Sequence, residues 1–434
     1  IGGSFAPATK GSVTDFSHAR ADYARAMADF VDVSVLKPMK IVVNAGNGTA
    51  GPTFDAIAAE LERRGAPLTF VRMHHNVDSS FPNGIPTPLL PENQPVTVEK
   101  VKAENADLGV AWDGDFDRCF FFDENGRFIP GEYIVGLLGA AFLEKSPGEK
   151  VVHDPRVIMN TRAMIREAGG EAVVSKTGHA FIKRKMRDVG AIYGGEMSAH
   201  HYFRDFYYCD SGMIPWLLMV ELLSRKGQTL AELLEERMRL YPSSGETNYH
   251  IDDPDAAIAR LIEKYEPQAR ERDDLDGVSL DFGNWRFNLR KSNTEPVVRL
   301  NLESDGDAGL VKEKQAELAA LQDQFAGNRL VMDKWFSVQP MAAPPAQAAQ
   351  VARSLSQRKD FDWKNPNRFC ALIGGLSANH AGFHGADGSG YDFVADWLMR
   401  MDPVNPQIAA RMSTAFETWT RYDAGRRAKA LAAL

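Results

Sequence analysis

Three aspartates stand at alternate positions in the stretch AWDGDFDRCF, residues 111–120, with an arginine directly after the last of them. In an extended segment, side chains two and four residues apart share one face, so Asp113, Asp115 and Asp117 converge. Like charges that close repel unless something positive lies between them. A hard divalent cation does this through oxygen ligands, and Mg2+ suits a site of few carboxylates that also receives a phosphate oxygen. Arg118 adds a planar fork suited to phosphate. The plainer reading, a solvated acidic turn, also fits this spacing. A calcium-binding EF-hand loop does not: its sixth position needs glycine and here is Arg118, and the flanks read as strands.

Three further segments carry dense polar chemistry. In GGEMSAHHYF, residues 194–203, Glu196 and Ser198 follow a strand-like run and could accept from and donate to vicinal sugar hydroxyls; a strand end with a satisfied glutamate is the bland alternative. In RKSNTEPVVRL, residues 290–300, Arg290, Ser292, Asn293 and Thr294 set a cation, two hydroxyls and an amide within five residues. That is a donor set for a phosphate, or simply a polar turn before a strand. In KTGHAFIK, residues 176–183, His179 falls at a helix start, where backbone N–H groups favour anions.

The elements that must hold these residues alternate. A helical pattern with Tyr23, Met27, Phe30 and Val31 precedes the strand Ile41–Val43, the turn NAGNGTAG, a helix over Phe54–Arg64 and a strand over Leu68–Val71. Strands at Leu108–Trp112 and Cys119–Phe122 flank the acidic loop. Helices are expected at 133–143, 158–167, 179–189, 211–224 and 229–239, and strands at 151–152, 172–174 and 191–193. Such alternation implies parallel strands with crossover helices, here as two α/β units of similar size. From Glu246 the order becomes α+β. Past the Ala/Pro-rich break MAAPPAQAAQ, helical patterns recur at 346–356, 366–375, 388–401, 406–419 and 423–434. The expected organisation is a tail or linker over 1–14, α/β units over 15–130 and 131–245, a smaller α+β unit over 246–327 and an all-α helical-repeat tail over 328–434.

The 434 residues carry a formal charge of -8, which argues against a nucleic-acid binder, since phosphate backbones need a basic footprint. No apolar run approaches a membrane span. Three scattered cysteines give neither a disulfide framework nor a zinc spacing, and the expected setting is a reducing cytoplasm.

The acidic loop DGDFDRCFFFDENG resembles the metal loop of the phosphomannomutase/phosphoglucomutase family, the α-D-phosphohexomutases, and the other three segments resemble its remaining site loops in the same order. The resemblance covers about residues 20–327. It implies a magnesium site at Asp113, Asp115 and Asp117, and Arg118 beside it. It implies hydroxyl recognition by Glu196 and Ser198, with His200 at the matching position after them, and phosphate binding by Arg290, Ser292, Asn293 and Thr294. His179 and Lys183 match a further active-site segment, and Arg156, in HDPRV, falls where the family places another basic residue. Met197 resembles the mannose/glucose-type enzymes. The implied reaction interconverts hexose 6-phosphate and hexose 1-phosphate through a bisphosphate, with mannose or glucose phosphate as partner molecule.

The family's first domain carries a phosphorylated serine in a T-A-S-H-N-P-like segment, which does not occur in these residues. Ser17, in TDFSH, lacks the following Asn-Pro and is read as a helix cap. The chain is therefore expected to bind Mg2+ and hexose phosphate weakly and to be inactive or impaired alone, unless a partner supplies the phosphoserine. The alternatives are a non-catalytic sugar-phosphate-binding or interaction protein, and a non-native chimera. The last alternative arises because residues 326–434 resemble the C-terminal helical domain of bacterial aminopeptidase N. No H-E-x-x-H zinc motif accompanies it, and His380 and His384 lack the intervening glutamate, so no peptidase activity is expected.

Overall fold

The structure, a computed structural model, describes residues 11–250, 254–291, 297–323 and 329–433. They divide into two compact units. The first takes in the chain up to Asn248 together with Arg260–Ser292 and Arg299–Gln315; the second takes in Tyr249–Ala259, Asn293–Val298 and Ala316–Leu434. The architecture is mixed α/β domains followed by an all-helical repeat region, as the alternation of patterns implies.

The first two sheets of the first unit share one plan. In one, strands run in the order Leu68–Met73, Met39–Asn44, Leu108–Trp112, Cys119–Phe122, Phe128–Ile129. The first three are parallel, and Cys119–Phe122 returns antiparallel against Leu108–Trp112. In the other, Glu171–Val174, Lys150–His153 and Tyr193–Gly195 are parallel, and His201–Phe203 returns antiparallel. Each sheet therefore switches from parallel to antiparallel at one hairpin. The acidic segment 113–118 is the first hairpin's loop, and residues 196–200 are the second's. Val42, Val43 and Val110 are fully buried, as strands covered on both faces require. One hydrophobic cluster, from Met27 and Phe54 through Trp112 and Tyr193 to Trp216, joins both sheets.

The third sheet orders its strands Ser243–His250, Val297–Ser304, Trp285–Lys291, Val278–Asp281, Glu271–Asp273. A buried ion pair fastens it to the loop after Lys150–His153. Arg286 Nη1 lies 2.7 Å from Glu303 Oε1, and the two side chains are 3% and 1% exposed. Arg286 also donates to the carbonyls of Pro155 and Arg156, each at 3.0 Å. Glu303 accepts from Ile158 N at 2.8 Å and Met159 N at 2.9 Å, so it caps the helix Met159–Glu167 from another element. Both terminal nitrogens of Arg286 and both oxygens of Glu303 have partners, as burial of an ion pair demands.

The second unit stacks helices Arg329–Ala342, Ala348–Ser356, Pro366–Ala378, Ser389–Met401, Pro406–Ser413 and Ala424–Ala433 around a core of Phe336, Phe369, Tyr391 and Trp397. Pro366 and Pro406 open their helices, where a missing N–H costs nothing. His384, in the turn after helix His380–Phe383, is buried: Tyr391 Oη sits 2.8 Å from Nδ1, and Tyr422 stacks on the ring at 3.9 Å.

Three local expectations need correction. The first helix is Ala19–Ala28 with His18 at its N-cap, and Ser17 instead bonds Asp15, so Ser17 is no cap. The strand expected at 191–193 is Tyr193–Gly195: Ala191 N closes the turn after helix His179–Val189 onto Met186 O, and Ile192 already bonds Lys150 and Arg204 at the sheet edge. The break at 341–350 is shorter than its Ala/Pro content suggests: the helix from Arg329 carries Pro340 inside its last turn and runs to Ala342.

Replacing Glu303 with Gln leaves the buried Arg286 without a counter-charge and presents an amide N–H to two backbone donors. The expected cost is about 3 kcal/mol, seen as a lower thermal midpoint. A melt indistinguishable from wild type would contradict this account of how the third sheet is fastened.

Candidate active site

Ligands of open α/β sheets bind beyond the carboxyl ends of parallel strands, and three of the four polar segments singled out above emerge there, the exception being 290–300 on the third sheet. The acidic loop follows Leu108–Trp112, Asp154 and Arg156 follow Lys150–His153, Lys176–His179 follows Glu171–Val174, and Glu196–His200 follows Tyr193–Gly195.

Asp113 is buried, Asp117 half-buried and Asp115 exposed. Their carboxylates offer oxygens that all lie within 4.8 Å of one another. Burial pushes the Asp113 carboxyl up to about 6; Arg118 opposes the shift and the charge of Asp117 adds to it. Arg118 Nε donates to Asp113 Oδ2 at 2.5 Å and lies 3.6 Å from Asp117 Oδ1. Even so, Asp117 Oδ1 is buried with no hydrogen-bond donor. This all-oxygen set with an under-satisfied carboxylate fits a small hard cation such as Mg2+.

The loop is clamped from two sides by backbone. Thr49 N and Oγ1 donate to Gly114 O at 2.9 and 3.1 Å, and a Cβ on Gly48 would meet that same oxygen at 2.5 Å. Gly212 N donates to Phe116 O at 3.1 Å, Trp112 Nε1 donates to Gly212 O at 2.7 Å, and a Cβ on Gly212 would lie 2.4 Å from Phe116 O. Phe116 itself takes a left-handed conformation, φ 51°.

The two hairpin loops meet. Arg118 and His200 form an antiparallel bridge, and Cys119 N donates to Ala199 O at 3.1 Å. His200 Nδ1 lies 3.4 Å from Asp210 Oδ2 and 3.7 Å from Asp117 Oδ2. Burial alone would lower the pKa of His200; Asp210, Asp117 and Glu196 outweigh it, and the imidazole sits above its ordinary value. Asp210 also takes Lys183 Nζ at 2.6 Å. Burial would raise its carboxyl, but His200 and Lys183 hold it well below the usual carboxylate range.

Glu196 is 2% exposed, and both its oxygens are engaged: Oε1 accepts from Gly178 N at 2.8 Å and Oε2 from Tyr202 Oη at 2.6 Å. It thereby ties the sugar-loop candidate to the start of the helix that carries the exposed His179. Ser198 Oγ lies 3.3 Å from Arg156 Nη2. Arg156 Nη2 also donates to Asp154 Oδ2 at 2.7 Å, and that oxygen accepts Met197 N at 2.9 Å. Arg290 Nη2 donates to Glu246 Oε2 at 3.1 Å, and Arg156 Nη1 lies 3.5 Å from the same oxygen. Ser292, Asn293 and Thr294 lie outside the described residues.

Asp154, Tyr202, Asp210, Glu246 and Asp276 escaped sequence reasoning. Tyr202, Asp210, Glu246 and Asp276 meet partners distant in sequence or set by the hairpin fold, so no spacing marks them, whereas Asp154 pairs with Arg156 two residues on. Asp210 and Asp154 had one signal, their place at or just past a strand beside a cation-rich segment.

An α/β scaffold that gathers an acidic hairpin loop, a histidine and several arginines at its strand ends defines a phosphate-handling class of protein. Comparison with known proteins gives the family. Residues 21–126 match the profile "Phosphoglucomutase/phosphomannomutase, alpha/beta/alpha domain II", residues 130–241 match domain III, and residues 246–321 the C-terminal domain of the same family. A protein of Xanthomonas campestris named "Phosphohexose mutases" is 56% identical over 317 residues, 72% of this chain and 70% of that protein. A Salmonella typhimurium phosphomannomutase is 55% identical over 325 residues, 74% and 71% of the two chains. The solved structure of a phosphoglucomutase/phosphomannomutase family protein from Burkholderia thailandensis superposes with a TM-score of 0.62 at 28% identity, covering 71% of this chain and 65% of that one. The open form of Paramecium parafusin shares the fold, with a TM-score of 0.54 at 16% identity, 71% of this chain and 63% of that one. The chain belongs to the phosphoglucomutase/phosphomannomutase family.

Residues 303–434 match a different profile, "Domain of unknown function (DUF3458_C) ARM repeats". This overturns the expected likeness of the tail to aminopeptidase N, and with it the reading of the chain as a chimera. Helical spacing identified the architecture, whereas the family likeness rested on local sequence segments that the profile assigns otherwise.

Gly212→Ala must push Phe116 O and the loop behind it. Divalent-cation affinity is expected to fall roughly ten- to hundredfold, as when outer contacts of metal ligands are lost. Calorimetric titration with Mg2+ checks this, and unchanged affinity would contradict the clamp.

Proposed function

We propose that the chain binds a divalent cation and a hexose phosphate as a phosphohexomutase of mannose/glucose type, and that its turnover depends on a phosphoseryl donor supplied from outside these 434 residues. The bridge between Arg118 and His200 carries the reading, because it sets a cation-ready carboxylate loop against a hydroxyl- and phosphate-ready loop. On this reading residues 15–130 carry the metal loop, 131–245 the sugar loop and 246–327 the phosphate loop, with the helical segment over 328–434.

Asp113, Asp115 and Asp117 would hold Mg2+, which supplies positive charge to a phosphoryl oxygen. Arg118 and Arg156 neutralise the oxygens of the phosphoryl group in flight, and His179 donates to it from its helix start. Such transfer depends on positioning and charge neutralisation more than on covalent chemistry by the protein. Lys183, Glu196, Ser198 and His200 orient the hexose. Arg290, with Ser292, Asn293 and Thr294, receives the phosphate that is not being transferred. The reaction moves a phosphoryl group onto one sugar oxygen and releases the other phosphate to the donor serine, so hexose 6-phosphate and hexose 1-phosphate interconvert through the bisphosphate. No described helix is long and apolar enough to cross a membrane, and the free thiols Cys119, Cys209 and Cys370 support a reducing, cytoplasmic setting.

The test is calorimetry of the purified chain with mannose 1-phosphate, with and without Mg2+, and 31P NMR of the same mixture primed with glucose 1,6-bisphosphate. Magnesium-dependent binding without conversion is expected. Absence of binding would overturn the site, and steady conversion would overturn the need for a separate donor.

A further inference from the structure

Glu246, on the strand Ser243–His250, is shared by three guanidinium groups from three separate segments. Arg290 Nη2 is 3.1 Å from Oε2, Arg156 Nη1 is 3.5 Å from the same oxygen, and Arg299 Nη1 is 3.7 Å from Oε1. None of the three makes with it the parallel, two-bond fork that gives an arginine–carboxylate pair its strength. The Nε atoms of Arg290 and Arg299 are buried and have no acceptor among the described residues. Unmet donors on buried guanidiniums are costly, so their persistence marks a place built for something else.

The remaining charges do not complete the set. Asp154 serves Arg156 at 2.7 Å, but Asp276 reaches Arg290 only at 3.8 Å and also takes Thr177 N at 3.3 Å. No carboxylate besides Glu246 lies in ion-pair range of Arg299 among the described residues. A carboxylate has two oxygens with which to answer three forks, whereas a phosphate monoester has three equivalent terminal oxygens and up to two charges. Glu246 is 21% exposed, so its side chain has a way out to solvent, whereas Arg156 is 5% exposed and fixed by Asp154.

We propose that Glu246 is an internal stand-in for a phosphate: it holds Arg156, Arg290 and Arg299 together while the site is empty and is displaced when a phosphate monoester enters. This rests on the mutase reading above for the identity of the ligand, and adds to it Arg299 as a phosphate contact and Glu246 as the residue that sets affinity. The carboxylate keeps three like charges from driving one another apart, and it opposes the incoming anion by its own charge. The net effect is a phosphate subsite that is organised in advance yet releases its ligand readily. A group that only braced the arginines would have the opposite effect on binding when removed.

The experiment measures binding of inorganic phosphate, and separately of mannose 1-phosphate, to the full chain and to Glu246→Gln, with thermal melts of both. The amide keeps the shape of Glu246 and removes its charge. The variant is expected to bind inorganic phosphate about tenfold more tightly, equal to about 1.4 kcal/mol, with a steeper dependence on salt. Arg299→Gln in the Glu246→Gln background is expected to reverse that gain. Unchanged or weaker phosphate binding by a folded Glu246→Gln protein overturns the proposal, as does a gain that survives loss of Arg299. If Glu246→Gln fails to fold, Glu246→Asp, whose shorter carboxylate draws back from the forks, must show the tighter binding instead; its failure to do so also overturns the proposal. Tighter binding of inorganic phosphate with no binding of mannose 1-phosphate by either protein would leave this inference standing and remove the mutase reading. Equal binding of mannose 1-phosphate by both proteins, with no gain for phosphate, would do the reverse.

Discussion

Electrostatic repulsion among three neighbouring carboxylates is the constraint around which the strand-end surface is arranged. Asp113 is taken out of water within 4.8 Å of two others, and its raised carboxyl pKa registers that cost. A single guanidinium, Arg118, relieves part of it, leaving an oxygen of Asp117 buried without a donor. Nothing in the backbone lets the carboxylates drift apart. Gly48 and Thr49 press on Gly114 from one side, and Gly212 presses on Phe116 from the other. The backbone contacts keep the loop compact, and a cation bound among the carboxylates would supply the missing stabilisation.

The same logic extends across the surface through alternating charges. Asp117 faces His200, His200 faces Asp210 and Asp210 holds Lys183. Asp154 ties Arg156 to the backbone of the 196–200 loop, and Glu246 gathers Arg156 with Arg290. Beneath these the Arg286–Glu303 pair satisfies four backbone groups of the loop bearing Arg156, so the position of that arginine depends on a sheet formed over a hundred residues later in the chain. Buried polar groups of this kind carry a cost wherever a member is left unpartnered, as Asp117 Oδ1 and the Nε atoms of Arg290 and Arg299 are among the described residues. The strand ends therefore act as one electrostatic assembly rather than as separate loops.

Much of this was legible in the sequence because the informative residues are local. Asp113, Asp115 and Asp117 fall within five residues, although they converge through the turn of a hairpin loop and not through the strand spacing expected of them; Glu196 and Ser198 or Arg290 and Thr294 likewise fall within single short segments. The rhythm of apolar runs gave two α/β units, and their identical strand order explains why the acidic loop and the 196–200 loop occupy equivalent hairpins. What was not legible is the other half of each pair. Asp210, Tyr202, Glu246 and Asp276 meet their partners only after the chain has folded, and isolated acidic residues carry no periodic signature. Glu196 shows the same limit from the other side: its type suggested hydroxyl recognition, but its burial against Gly178 and Tyr202 is a tertiary fact. Ser17 was misread because a serine before a helical pattern matches a cap, while the nearby Asp15 offered it a closer acceptor. The tail was assigned to the wrong family on the likeness of local segments, while its helical architecture was legible from spacing.

The most direct measurement is anomalous diffraction from crystals of the chain soaked in Mn2+, a magnesium surrogate with usable anomalous signal. A single strong peak within ligand distance of Asp113, Asp115 and Asp117, on the side facing His200, is the expected result. A loop with no peak, or a peak elsewhere with the three carboxylates turned into solvent, would contradict the account.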